Sequence, residues 1–223
     1  CYGNSHDNLF KKIKLSFEDS LSQKKKINDF VLEMKGLSGR KYRSLINSLI
    51  SKMKNPSYLE IGSWLGSTTC SAAFNNDLKI TCIDNWSQSL LNENFPEEKF
   101  KKNINKCITK KTKLELFNKD FREVNYSKIG KHNIFLFDGP HHFKDHYDAI
   151  ILAQPALNKK YILIIDDWNW DQVRAGTKSA ILDLELNVIS KLEIRTTNDG
   201  SSALITGENS DWHQGCCFFV IKK

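Results

Sequence analysis

Along the first fifty residues, apolar side chains recur in groups at helical spacing. They are Leu9, Phe10 and Ile13, then Phe30, Val31 and Met34, then Leu45, Ile46, Leu49 and Ile50, with Gly36 to Gly39 between the second and third groups. Residues three and four apart share a helix face, so residues 8–53 are expected to form two or three amphipathic helices. The period then changes. Residues 56–61 form a short apolar run closed by glycine, and the same grammar returns at 79–83, 114–117, 134–137 and 161–165. Short runs of this kind, bounded by turn residues, predict buried strands. Between them, 67–74, 96–108, 143–157 and 172–184 can form helices, and strand alternating with helix predicts an α/β fold with a mainly parallel sheet. Two further strand-like runs, 191–196 and 216–221, flank the Asn198-Asp199-Gly200-Ser201-Ser202 turn. This gives about seven strands, the last expected to be antiparallel. The chain divides into an N-terminal helical cap over 1–55 and a sheet-bearing unit over 56–223, expected to fold as one structure.

The segment Glu60-Ile61-Gly62-Ser63-Trp64-Leu65-Gly66 is the richest in chemistry. A strand ends in an acid, two glycines four apart follow, and Ser67-Thr68-Thr69 opens a helix. Glycine there permits close backbone approach to a ligand. Neither the G-x-G-x-x-G dinucleotide fingerprint nor the G-x-x-x-x-G-K-[ST] phosphate loop is present, so NAD and ATP are not the first choice. An acidic strand end repels phosphate but suits an ammonium group, and Thr68 at a helix start can bond a carboxylate. An amino-acid moiety with close backbone approach points to S-adenosylmethionine. The alternative is an ordinary strand–helix turn with structural glycines. The next strand adds Asp84, twenty-four residues after Glu60. An acid at the second strand end of a doubly wound sheet accepts hydrogen bonds from ribose hydroxyls. Trp86 either stacks on the adenosine or covers the core. Asp120, after the third strand, either receives the adenine amino group or is an exposed turn residue.

Composition narrows the picture mainly by exclusion. The 223 residues are 40% hydrophobic and 26% charged, the composition of a globular chain. No window approaches the ~18 consecutive apolar residues of a membrane span. The N-terminus has neither an initiator Met nor an apolar signal core, so it carries no targeting information and a cytoplasmic location is the default expectation. Six cysteines without a CxxC pair argue against structural zinc; Cys70 and Cys82 fit buried small hydrophobes, and adjacent Cys216 and Cys217 should face opposite sides of a strand. The net charge of +7 raises the question of nucleic acid, but the lysines are interleaved with Asp and Glu, which favours a solvated surface. The densest basic stretch, Lys24-Lys25-Lys26 with Lys35, Arg40, Lys41 and Arg43, is the one place where an anionic partner would dock.

The order Glu60-x-Gly62-x-x-x-Gly66, Asp84, Asp120, Asp138-Gly139-x-His141-x-Phe143 and Ile164-Ile165-Asp166-Asp167-Trp168 resembles the class I S-adenosylmethionine-dependent methyltransferases, over about residue 36 to the C-terminus. More narrowly it resembles the small-molecule O-methyltransferases that include the macrolide-sugar and aminocoumarin-sugar enzymes and, more distantly, catechol O-methyltransferase. The resemblance implies a Rossmann-like sheet. Asp138 ends one strand and Asp166-Asp167 another, and adjacent parallel strands would bring these acids together where ligands bind. Three close carboxylates repel unless a cation joins them, and oxygen ligands favour Mg²⁺ or another hard divalent ion. Members of the group with acids at these positions bind Mg²⁺ there. The alternative is that Asp166 or Asp167 only caps the next helix.

His141 falls where the group places its D-G-x-H histidine and where the catechol enzyme carries its catalytic lysine, which makes it the preferred general base. Pro140 stands where the macrolide-sugar enzymes carry an acid. His142 and His146 have a zinc-compatible spacing but lack the Glu of H-E-x-x-H, and are expected at the surface or a helix start. The expected activity is divalent-metal-assisted O-methylation of a small-molecule hydroxyl on a sugar, polyol or secondary metabolite, with homo-oligomerisation open. Two rivals remain: an inactive cofactor-binding protein acting through its basic N-terminal helices, and a nucleic-acid methyltransferase, which would lack here both an N-P-P-Y-type tetrapeptide and a basic reader module.

Overall fold

The computed structural model describes residues 1–22, 27–88 and 90–223. Lys24-Lys25-Lys26 therefore lies outside the described residues. A two-residue strand β1 (Tyr2–Gly3) precedes three helices, α1 (Asn8–Leu21), α2 (Asp29–Glu33) and α3 (Arg40–Lys52). The sheet then builds as β2 (Ser57–Ile61), α4 (Ser67–Ala73), β3 (Lys79–Asp84), α5 (Pro96–Asn105), β4 (Lys113–Asn118), β5 (His132–Phe137), α6 (Phe143–Ala153) and β6 (Leu157–Asp166). α7 (Asp171–Asp183), β7 (Asn187–Ile194) and β8 (Cys216–Lys222) complete it.

The eight strands lie in the order β1-β7-β8-β6-β5-β2-β3-β4. β4, β3, β2, β5 and β6 run parallel, and β8 is antiparallel to both β6 and β7. This is a Rossmann-like, mainly parallel sheet, with β1 added at one edge by antiparallel pairing to β7. β6 starts four residues earlier than the apolar run at 161–165 indicates, because Lys160 still pairs with Lys222 of β8 while its ammonium reaches Asp7. A strand continued by lysines that lay their stems along the sheet has no apolar signature.

Strand side chains alternate between faces, and two cores follow. Tyr58, Ile80, Cys82, Ile134, Ile162, Cys216 and Phe218 pack under the N-terminal helices with Leu45, Leu49 and Phe100. Leu59, Ile61, Phe135, Leu163, Cys217 and Phe219 pack under α6 and α7 with Ala149, Ile150 and Val173. Cys216 and Cys217 thus face opposite sides, as period two demands. The segment between α2 and α3 is organised by Arg43, which is fully buried and donates to the carbonyls of Val31, Leu32, Met34 and Gly36 and to Ser38 Oγ. Burial lowers its pKa to about 10, which leaves it a cation at neutral pH. No helix among the described residues is long and apolar enough to cross a membrane.

Candidate functional site

β2 is flanked by β3 on one side and β5 on the other, so the chain order reverses at its carboxyl end, where doubly wound sheets open a ligand crevice. A cavity of about 510 Å³ lies there, within the size range of small-molecule sites. Gly62 makes the crevice possible. Its φ is +87°, and a Cβ there would lie 1.9 Å from the carbonyl oxygen of Asp138, so only glycine lets the turns after β2 and β5 touch.

On the β3 side, Asp84 is held by two backbone donors: Trp64 N–H at 2.8 Å and Trp86 N–H at 2.6 Å, one to each carboxylate oxygen. Burial raises its pKa, and these bonds oppose the rise. Each oxygen keeps a further lone pair for a ligand hydroxyl. Trp86 lines the cavity and also packs its ring 5.6 Å from Phe100, so it covers the core and presents a face to the ligand at once. Thr68 and Asp120 line the same cavity, Asp120 also accepting the Arg122 N–H at 2.8 Å.

Three expected site residues stand elsewhere. Glu60 is fully buried and does not line the cavity; the hydroxyls of Tyr58 and Thr69 donate to its two carboxylate oxygens. It alternates onto the helix face of the sheet, where it ties β2 to α4. Gly66, with φ +87°, also lies off the cavity, and a Cβ there would press on the Phe100 ring at 2.9 Å, so it is required for packing. Asp166 lies behind the cavity wall at 1% exposure, its Oδ1 accepting the Asp167 N–H at 2.9 Å. In its place the structure brings His141 forward: ligand atoms of Asp138, His141 and Asp167 all lie within 4.8 Å of one another.

The electrostatics of this cluster are those of crowded acids. Burial raises the pKa of Asp138, and the charges of Asp166 and Asp167 raise it further; burial and Asp167 do the same to Asp166. Asp166 Oδ2 and Asp167 Oδ1 are buried without a hydrogen-bond partner. Orphaned carboxylate oxygens beside an imidazole, in acids that burial discourages from ionising, fit a divalent cation, which would supply the missing charge. His141 Nε2 stands 2.6 Å from Asp167 Oδ2, and its ring meets Trp170 edge-on at 5.0 Å. Burial pulls the His141 pKa down, but the hydrogen bond and charge of Asp167 outweigh it and the net shift is upward.

His142 stands exposed at the start of α6, its N–H donating to Asp145 Oδ2 at 3.0 Å. His146 is not at the surface: it is 1% exposed, packs against Phe137 at 4.7 Å, and burial lowers its pKa to about 3. The residue that sequence reasoning missed is His213, which lines the cavity from the loop before β8 and faces Asp167 Oδ1 at 3.6 Å. That loop has no periodicity, and its only cue is a histidine two residues before Gly215.

Residues 59–168 match the family model described as a methyltransferase domain. Among solved structures, the chain is similar to the O-methyltransferase TomG of Streptomyces achromogenes, involved in tomaymycin synthesis and solved with SAM, at 10% identity and a TM-score of 0.54, covering 97% of this chain and 91% of that one. It is similar to a candidate RNA methyltransferase of Pyrococcus horikoshii at 13% identity and a TM-score of 0.52, covering 96% of each chain. It is also similar to the ribosomal protein L11 methylase of Lactobacillus delbrueckii subsp. bulgaricus at 13% identity and a TM-score of 0.51, covering 81% and 79%. A search of curated proteins finds no match. At these identities the neighbours establish a shared fold, and they span small-molecule, RNA and protein acceptors. Residues 59–168 thus match a methyltransferase domain model and lie within a Rossmann-like sheet shared with methyltransferase structures.

Proposed function

We propose that the protein transfers the sulfonium methyl group of S-adenosylmethionine to a hydroxyl of a small molecule, with a divalent cation held by Asp138 and Asp167. The observation that carries this reading is the shared cavity: Asp84 and the Gly62 turn line one part of it, and Asp138, His141 and Asp167 line another. Asp84 would accept from the ribose hydroxyls, Thr68 would bond the amino-acid end, and Trp86 would cover the adenosine, with Asp120 placed for the adenine amino group. When bound, the cation, Mg²⁺ or another divalent ion, would lower the pKa of an acceptor hydroxyl.

The residue-specific step falls to His141. With Nε2 set against Asp167 Oδ2 at 2.6 Å, the neutral ring would keep Nδ1 free to accept the hydroxyl proton. The oxygen then forms its bond to the methyl carbon as the carbon–sulfur bond breaks, and the electron pair stays on sulfur to give neutral S-adenosylhomocysteine. The protein contributes orientation, since an in-line approach of oxygen, carbon and sulfur is the main demand of the reaction. Asp166 would lend its buried charge from behind the cation. The TomG structure, an O-methyltransferase with SAM, supports the same pairing of cofactor and acceptor type.

The test is a matched acceptor panel, in which methyl-labelled S-adenosylmethionine is offered with alcohols, phenols and sugars, with their amine counterparts, and with RNA. Label in the hydroxyl class supports the reading. Label confined to RNA, with binding strongly weakened by salt, would replace it with the nucleic-acid reading.

A further inference from the structure

His213 lies outside every motif of the sequence, yet its ring is locked in place. Gly207 N–H donates to its Nδ1 at 2.9 Å, its own N–H donates to Ser210 Oγ at 2.9 Å, and Thr196 Oγ1 donates to its carbonyl at 3.1 Å. An imidazole whose Nδ1 accepts a backbone hydrogen bond carries its proton on Nε2. That Nε2–H faces Asp167 Oδ1 at 3.6 Å, longer than a formed hydrogen bond, and this oxygen is buried without a partner. Asp167 is thus held between two imidazoles, His141 on Oδ2 and His213 on Oδ1.

The two backbones are also fixed against each other. Trp168 N–H donates to the Gly215 carbonyl at 3.2 Å and Asn169 N–H to the Gln214 carbonyl at 2.9 Å. Asp167 and His213 both sit at positive φ, +52° and +50°, a conformation uncommon for such residues and concentrated where geometry is functional.

We propose that His213 is a positioning residue that donates its Nε2–H to Asp167 Oδ1, so that Oδ2 is directed at the cation and at His141. A ligating carboxylate needs one oxygen pinned for the other to hold its angle, and partners of this kind change metal affinity by about 10–100-fold. The inference rests on the cation reading above and assigns to a loop histidine a role in that site.

The test uses Mn²⁺ as a spectroscopic probe, titrated into the full-length protein and followed by electron paramagnetic resonance. Two amide substitutions separate the histidine's contacts. His213→Asn keeps an acceptor near the Nδ1 position, for Gly207 N–H, and gives up the reach to Asp167. His213→Gln places an amide donor near the Nε2 position. The expected result is a Mn²⁺ dissociation constant about tenfold or more above wild type in His213→Asn and recovery toward wild type in His213→Gln, with melting curves recorded on all three proteins to register any loss of fold. Wild-type affinity in His213→Asn with weakening only in His213→Gln would overturn the proposal, because it would make the Gly207 bond the whole role of the ring. Equal affinity in all three proteins would overturn it as well. Failure of the wild type to bind Mn²⁺ would instead remove the cation reading, and this inference with it.

Discussion

At the scale of the residue, the acids at strand ends were legible and their orientations were not. Asp84, Asp120, Asp138 and Asp167 line the cavity, which opens beyond the carboxyl ends of the parallel strands. Glu60 lies two residues deeper in the sheet than its neighbours, level with Cys82 of β3 and Leu136 of β5, and Asp166 follows the Phe137–Ile165 pair on the same face as Asp138 but lies behind the cavity wall. Their chemistry is the same as their neighbours', but Glu60 is satisfied internally by Tyr58 and Thr69, and Asp166 is closed behind Asp167. Depth within the strand and the turn at Asp167, with φ +52°, decide which carboxylate meets a ligand, and a run of two acids hides that choice. Asp84 carries the first prediction. Its carboxylate is prearranged by two backbone donors, and Asp84→Ala removes the ribose acceptor and orphans both N–H groups. S-adenosylhomocysteine should bind the variant weaker by about 1.5–3 kcal/mol, roughly 10- to 150-fold, by calorimetry. An unchanged affinity would move the cofactor elsewhere.

At the scale of the element, the strands declared themselves through apolar runs and glycine stops, whereas β1 and the first residues of β6 and β7 were silent. β1 is a two-residue pairing at the sheet edge, and polar residues break the apolar run at the start of β6 (Asn158, Lys159, Lys160) and of β7 (Asn187, Ser190). The β2–α4 turn was legible for a definite reason: Gly62 is the only side-chain-free way past the Asp138 carbonyl. Gly62→Ala adds both a collision with backbone and an unfavourable φ, so it should cost about 3 kcal/mol or more, a drop of about 6 °C or more in Tm for a chain of this size. A melting temperature within a degree of wild type would contradict the packing of the two turns.

The start of β5 gives a pH prediction away from the site. His132 is fully buried with Nδ1 3.0 Å from Ser57 Oγ, and burial lowers its pKa to about 4. The unfolded chain, with an ordinary value near ~6.5, binds a proton between these limits that the folded protein refuses. The neutral ring's contribution to stability is therefore present in full above pH ~6.5 and is lost as pH falls toward about 4, by up to about 3 kcal/mol. His132→Asn should flatten the fall of Tm over this window, and parallel curves for variant and wild type would show that other groups carry it.

At the scale of the whole molecule, the N-terminal helices are not a detachable cap in their contacts. Arg40, Lys41 and Tyr42 donate their backbone N–H groups to the carbonyls of Ser210 and Asp211, so the loop that carries His213 supplies the N-terminal partners of α3. Leu37 from one side and Thr206, His213 and Gln214 from the other enter the same cavity wall. None of this long-range closure was visible in the sequence, because a loop without periodicity records neither its partner nor its distance. The architecture was readable, since alternating strand and helix leave few topologies; the acceptor wall was not.

The central claim is that this cavity methylates a hydroxyl with help from a divalent cation. It is tested most directly by the rate of S-adenosylhomocysteine formation with the best acceptor of the hydroxyl panel, in wild type and Asp138→Asn, before and after chelation. The account predicts turnover that chelation abolishes and Mg²⁺ or Mn²⁺ restores in the wild type, and little turnover in Asp138→Asn under any condition. Full turnover in the chelated wild type would contradict it.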